Sequence, residues 1–237
     1  MDTTLVIVGP GRLGRSVAKI LHSRGQDVQL IGRGQAIPKA HLTWLTVPDR
    51  EVKAAALGVP VGGIVLHASG ALEFDILRPH PQAGSLHPLM TFPGPEIGMP
   101  TGTTIPAAVA GDAAAVGAAT ALAKELGFTP FEVTGDRRLY HAAAVTAGNF
   151  ATTLMLHAGA MLSGAGVPPE QARALLAPLA IASIKNVAQH GAQALTGPIA
   201  RGDEQIVASH MEALTSLEPS LAALYADLCE HTRKLKR

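Results

Sequence analysis

A chain of 237 residues that is 47 % hydrophobic has enough apolar surface for a substantial core, in one domain or two. A net charge of +1, aromatics at only 3 % and one cysteine, Cys229, argue against a nucleic-acid partner, a disulfide framework and a multi-cysteine zinc site, and fit a reducing cytoplasm. No run approaches the ~18 consecutive apolar residues of a membrane span. No basic region with an apolar signal core precedes the first strand, which opens at Thr4.

Short apolar runs alternate with helical stretches through the first half. Leu5–Val8 reads as a strand and Arg12–Ser23 as a helix closed by Gly25, a left-handed cap. Asp27–Ile31 is a second strand, Leu42–Val47 a third stopped at Pro48, Glu51–Leu57 a short helix and Gly63–His67 another strand. Gly84–Leu86 and Thr104–Ala110 continue the pattern, then a helix over Ala113–Leu126 and a strand over Phe128–Val133. Strands this apolar, separated by helices, indicate an α/β fold with a mostly parallel sheet covered on both faces.

From Gly135 the strand signal stops. One long helix is expected over Arg137–Leu162, so rich in Ala, Gly and Thr that other helices must press on most of its circumference. A second helix opens at Pro168-Pro169-Glu170 and runs toward His190 with a kink at Pro178. Asp203–Leu217 and Pro219–Lys236 complete an all-α second domain, which places the boundary between residues 1–134 and 135–237. The terminal basic run Arg233–Arg237 complements the dipole of the last helix.

The first turn carries the chemistry. LVIVGPGRLG runs a strand into Gly9-x-Gly11-x-x-Gly14, and Gly9, Pro10, Gly11, Arg12, Leu13 and Gly14 together form a dinucleotide-binding turn. Gly9 permits the sharp exit, Gly11 admits a pyrophosphate to the backbone, and Gly14 lets helix and strand pack. The phosphates then meet free N–H groups at a helix N-terminus. The second strand ends in Gly32-Arg33-Gly34 with no acid to hold a ribose 2′-hydroxyl. An arginine there attracts a 2′-phosphate instead, helped by Arg12, which favours NADP(H) over NAD; a solvated loop residue is the plainer reading of Arg33.

Three further stretches should gather at the carboxyl edge of the sheet. Thr46-Val47-Pro48-Asp49 would lie beside the nicotinamide ribose, or simply start a helix. His67-Ala68-Ser69-Gly70 ends an apolar strand, with Ser69 a substrate donor or a loop cap. His87 precedes Pro88, which disfavours helix and places His87 in a loop just past a strand. An imidazole there, titrating near neutral pH, can exchange the proton that accompanies hydride transfer; backbone bonding is the structural alternative for both histidines. In the helical half, His141, Val145 and Asn149 share a face, and Asn149 needs a partner, substrate or another helix. Thr196-Gly197-Pro198-Ile199-Ala200-Arg201-Gly202-Asp203 opens a helix, with Arg201 as a carboxylate anchor or part of a plain interhelical turn. The ten histidines show no metal-ligand spacing, so no metal site is expected.

GPGRLG, TVPD, HASGAL, GSLHPLMTF, RLYHAAAVTAGNF, APLAIASIKN and ALTGPIARGD together resemble two-domain bacterial proteins that join a Rossmann-like domain to a "domain of unknown function 2520". The resemblance implies a Rossmann sheet followed by a helical domain of the 6-phosphogluconate dehydrogenase type, an NADP-dependent oxidoreductase activity and a homodimer built by the helices. More distantly, His87-Pro88 is similar to a strand-end loop of prephenate dehydrogenase, and Thr196–Gly202 occupies the place of a carboxylate-binding loop of pyrroline-5-carboxylate reductase. By the same likeness Ser69 and His87 face the nicotinamide and Asn149 the substrate. Hydroxyisobutyrate- and 6-phosphogluconate-type dehydrogenases place a lysine where Val145 stands, which leaves His87 or His141 as acid/base. The expectation is an NADP(H)-dependent oxidoreductase acting on a small carboxylate-bearing carbonyl, imine or alcohol, in the cytoplasm. The alternative is a non-catalytic NADP-binding sensor or scaffold.

Overall fold

A computed structural model of the protein describes residues 5–96 and 104–235. Thr4, where the first strand was expected to open, and Lys236 and Arg237 of the terminal basic run lie outside the described residues. The chain divides into two compact units, Met1–Gly148 and Asn149–Arg237. The expected boundary at 134/135 falls upstream of a helix that counts with the first unit.

The first unit begins with β1 (Leu5–Val8), α1 (Arg12–Ser23), β2 (Val28–Ile31), β3 (Leu42–Leu45), α2 (Asp49–Leu57) and β4 (Ile64–His67). A 3-10 turn (Phe74–Leu77), β5 (Ala83–Pro88), β6 (Ile105–Gly111), α3 (Ala113–Glu125), β7 (Phe128–Glu132) and α4 (Arg137–Val145) follow. Among the described residues seven strands form one sheet in the order β2-β1-β3-β4-β5-β6-β7. All neighbours are parallel except β5 and β6, where His87 lies opposite Ala108. One face packs α1 and α3 through Val17, Leu21, Ala119 and Leu122; the other packs α2 and the 3-10 turn through Val52, Ala56 and Leu77. The sheet is therefore doubly wound, and its strands are buried on both sides, which explains their continuous apolar runs.

The chain goes from β1 out to β2 and then back across β1 to β3. That reversal is the switch point, where the carboxyl ends of adjacent strands diverge and leave a crevice. Because β1, β3, β4 and β5 run in the same direction, Gly9, Thr46, Ala68 and the residues after Pro88 emerge at one edge.

One difference from expectation concerns β5, which is longer than the sequence suggested and includes both His87 and Pro88. His87 is thus a strand residue, not a loop residue. The extended conformation that proline imposes on its predecessor is satisfied inside the strand.

The long helix is likewise not one helix. α4 ends at Val145, a π-helical turn spans Thr146–Phe150, and α5 (Ala151–Gly164) resumes. The second unit then contains α6 (Pro169–His190), which runs through Pro178, a 3-10 turn (Gly191–Ala194), and the single-turn α7 (Pro198–Arg201). α8 (Glu204–Leu217) and α9 (Pro219–Lys234) close it. Its buried cluster is small: Leu214, Leu221 and Ala222, flanked by Met161, Met211 and Tyr225. Among the described residues no helix is long and apolar enough to cross a membrane.

Candidate functional site

Gly9 leaves β1 at φ +109°, a backbone conformation that side chains other than glycine rarely adopt. Gly14 sits so close behind the turn that a Cβ would overlap Gly9 O and come within 2.6 Å of Thr46 Oγ1. Thr46 fixes the turn from the neighbouring strand: its hydroxyl donates to Gly9 O at 2.8 Å. Gly11 is the N-cap of α1, without a side-chain cap bond and without an acidic residue in the first turn. A Cβ on Gly11 would meet nothing within 4 Å. The first amides of α1 therefore keep both their donors and their positive dipole end for an outside anion.

A cavity of about 540 Å³ opens at this turn. It is walled by Gly9, Pro10 and Gly11, by Gly32, Arg33 and Gln35 after β2, and by Val47, Pro48 and Glu51 at the start of α2. The sequence-derived residues Gly9, Pro10, Gly11, Arg33, Val47 and Pro48 thus converge, while Arg12, Leu13 and Gly14 belong to the same turn but do not line it. Arg33 is exposed and donates to Glu51 at 3.0 Å. Gln35 bends back to accept from Gly32 N, so it shapes the end of β2.

A second cluster occupies the ends of β4 and β5. His67 is fully buried, and its Nδ1 accepts from Ser69 N at 3.1 Å. The Ser69 hydroxyl oxygen accepts from Ala71 N at 3.1 Å and Leu72 N at 3.0 Å, so it caps the loop after β4. Arg137, at the start of α4, is buried and ties that loop to the helix, donating from Nε to Leu72 O and from Nη2 to Ser69 O. Burial without a contacting carboxylate holds its pKa below the ordinary arginine value.

One turn further along α4, the Tyr140 hydroxyl and His87 Nδ1 share a hydrogen bond of 2.6 Å. The His141 ring stands edge-on to His87, with centroids 6.2 Å apart. Gly70 makes room for both rings, since a Cβ there would lie 2.8 Å from His141 Cδ2 and 2.9 Å from His87 Cε1. Burial, then the nearby His141 and Arg137, push His87 down to about 4. Burial and Arg137 do the same to His67. The near-neutral titration expected of His87 does not hold, because desolvation, the neighbouring His141 ring and the Arg137 guanidinium all oppose its charged form. Burial also raises the Tyr140 hydroxyl above its ordinary value.

In the helical unit, Asn149 is exposed and lies in the π-helical turn, a feature often found where a helix serves function. Gly197, at φ +95°, caps α7. Thr196 precedes it, and Arg201 pairs with Asp203 at 2.9 Å. Asp203 stands at the N-cap of α8 but makes no side-chain cap bond.

Sequence reasoning placed Thr46 only as part of the stretch beside the nicotinamide ribose, and passed over Tyr140, Arg137 and Glu51 as site residues. Thr46 carried a signal, a hydroxyl at the end of the strand beside the glycine turn. The other three are brought in by helix packing, which no local motif marks.

A doubly wound sheet with a glycine turn and a crevice at its switch point defines a protein of the Rossmann fold class, here continued by a helical unit. The chain belongs to the family described as Domain of unknown function (DUF2520), which matches residues 105–232. No functionally curated protein sequence matches it. Among solved structures, a Bacteroides fragilis protein provisionally assigned as an NADP oxidoreductase is 21 % identical, with TM-score 0.82 and 98 % of each chain covered. A reductive aminase from Aspergillus terreus, in complex with NADPH and ethyl-5-oxohexanoate, is 17 % identical with TM-score 0.67, covering 98 % of this chain and 96 % of that one. A 1-pyrroline-5-carboxylate reductase from Streptococcus pyogenes is 14 % identical with TM-score 0.64, with the same coverage. At these identities the likeness establishes the fold.

Proposed function

We propose that the chain is an NADP(H)-dependent oxidoreductase acting on a small carboxylate-bearing carbonyl, imine or alcohol. The observation that carries this reading is the cavity at the switch point, where an uncapped helix N-terminus and Arg33 offer positive charge around a glycine turn. The residues present fit a dinucleotide. Gly9, Pro10, Gly11, Leu13 and Gly14 hold the pyrophosphate, Arg33 helped by Arg12 the 2′-phosphate, and Val47, Pro48 and Ser69 flank the remainder. A bound nicotinamide supplies or accepts the hydride. The NADPH complexes of the Aspergillus reductive aminase support the cofactor by analogy of fold.

Proton transfer falls to the edge cluster. With its pKa near 4, His87 is neutral at pH 7 and carries its single proton on one nitrogen. If Tyr140 donates to Nδ1, the proton resides on Nε2, the side that Gly70 leaves open. Loss of the Nε2 proton to the substrate is then balanced by transfer of the Tyr140 hydroxyl proton to Nδ1, and the reverse relay takes a proton up, with His141 beside the ring. Ser69 acts through the loop it caps. We assign Asn149, Thr196, Gly197 and Arg201 to the polar groups of the substrate.

The helical unit leaves Phe150, Leu154, Leu156, Leu175, Leu179 and Ile184 exposed, more apolar surface than a solvated unit ordinarily carries. We assign this surface to a homodimer, and the protein to the cytoplasm.

Fluorescence titration with NADPH, followed by a panel of keto acids and cyclic imines, tests the activity. The expected result is saturable binding and turnover that His87→Ala abolishes. Binding without turnover on any substrate would favour a sensor or scaffold, and no binding would remove the cofactor.

A further inference from the structure

We propose that Glu51 is a specificity-determining residue of the dinucleotide site, supplying from α2 the carboxylate that β2 lacks and restraining the preference for a 2′-phosphate. The inference rests on the dinucleotide reading of the cavity. Among the described residues that wall it, the charged ones are Arg33 and Glu51, and they are paired with each other at 3.0 Å.

The placement follows from the topology. β2 ends in Gly32-Arg33-Gly34, so no acid projects from the strand that ordinarily provides one. After β2 the chain crosses β1 to β3 and enters α2 at Asp49, which brings the first turn of that helix to the same crevice. Glu51 stands in that first turn, with its amide donating to Pro48 O at 2.8 Å. The Glu51 side chain is about one-third exposed whereas that of Arg33 is 88 % exposed, so the acid is the more enclosed partner and the arginine the more solvated one. Arg50 Nε lies 4.0 Å from the same carboxylate and adds a second, weaker cation.

This arrangement acts on the two cofactors in opposite directions. A ribose 2′-hydroxyl donates to a carboxylate, so Glu51 can hold NAD(H) without disturbing its pair with Arg33. A 2′-phosphate is dianionic and accepts only. It must draw Arg33 away from Glu51 and then remain near an unpaired carboxylate, which repels it. Arg33 alone would select strongly for NADP(H); the pair selects weakly. Because the site is open to solvent, the effect shrinks as salt shortens the screening length below ~10 Å.

The test is binding of NADPH and NADH by nucleotide fluorescence, and of adenosine 2′,5′-bisphosphate and 5′-AMP by calorimetry. It uses the intact protein, Glu51→Gln and Arg33→Ala, with thermal melting to confirm that each variant is folded. The intact protein should favour NADPH by about tenfold or less. Glu51→Gln should raise that preference by a further fivefold to tenfold at low salt, with adenosine 2′,5′-bisphosphate tightening and 5′-AMP weakening; these are order-of-magnitude shifts for one nearby charge. Arg33→Ala should reverse the preference toward NADH. A ratio of the two dissociation constants that Glu51→Gln leaves within twofold overturns the inference while the dinucleotide reading survives. Failure of the intact protein to bind either dinucleotide overturns that reading, and Glu51's role with it.

Discussion

The sheet unit and the helical unit solve the problem of burial differently. In the first, Val6, Ile7, Trp44, Leu45, Val65, Leu66 and Leu86 are completely enclosed, and helices cover both faces of the sheet. In the second, the enclosed cluster is Leu214, Leu221 and Ala222, while α6 exposes Leu175, Leu179, Ile181, Ile184 and Val187. Amphipathic helices derive most of their stability from packing rather than propensity, so the second unit has apolar faces that call for cover. The first unit closes its own core, whereas the second leaves apolar faces that the proposed dimer would cover.

The largest effect should come from the core of the first unit. Trp44 is fully enclosed in the middle of the sheet, and Trp44→Ala should cost about 3–5 kcal/mol of unfolding free energy, read from denaturant midpoints. A loss under ~1 kcal/mol would mean that the sheet unit is as loosely packed as the helical one.

The next effect is pH-dependent and belongs to the same unit. His67 is held near 4 in the folded chain against 6.5 when unfolded. Below pH 6.5 the unfolded state therefore binds a proton that the native state refuses, and stability falls as pH drops toward 4. Above pH 6.5 the contribution is complete. A shift of this size corresponds to about 3 kcal/mol between pH 7.5 and 4 for His67, and His87 acts in the same direction. His67→Asn keeps an acceptor for Ser69 N but does not titrate. Unfolding curves at pH 7.5 and 4.5 should converge for this variant relative to the natural chain. An unchanged pH slope would show that His67 is open to water.

The sequence made the first unit legible for the reason that makes it stable. Buried parallel strands write themselves as apolar runs, and Gly9, Gly11 and Gly14 mark a turn whose geometry leaves little choice of residue. The ends of elements were less readable: His87 belongs to β5 because Ala108 of β6 pairs with it, a contact across residues 88–107 that no local pattern records. The π-helical turn around Asn149 was invisible for a similar reason, since an Ala/Gly-rich run fits either helical repeat. The second cluster was half legible. His87 and Ser69 stood out by residue type, but Tyr140 and Arg137 reach them only because α4 docks on the loop after β4. Arg33 was readable as a cation and not as a paired one, because Glu51 arrives from another element.

The smallest change in chain stability should come from the exposed face of α6, and it sharpens the contrast most. Leu179 is 66 % exposed, so within a single chain Leu179→Asp should alter unfolding free energy by no more than about 0.5 kcal/mol. If that face is a dimer interface, the same carboxylate is forced into apolar contact in the assembly and opposes association. Light scattering coupled to size-exclusion chromatography should then find twice the 24.4 kDa chain mass for the natural protein and the chain mass for the variant at micromolar concentration. NADPH titration of the variant should still saturate, because the glycine turn, Arg33 and Glu51 all lie in the first unit. A natural protein that runs at the mass of one chain would break the division of labour, leaving the apolar face of α6 without an occupant.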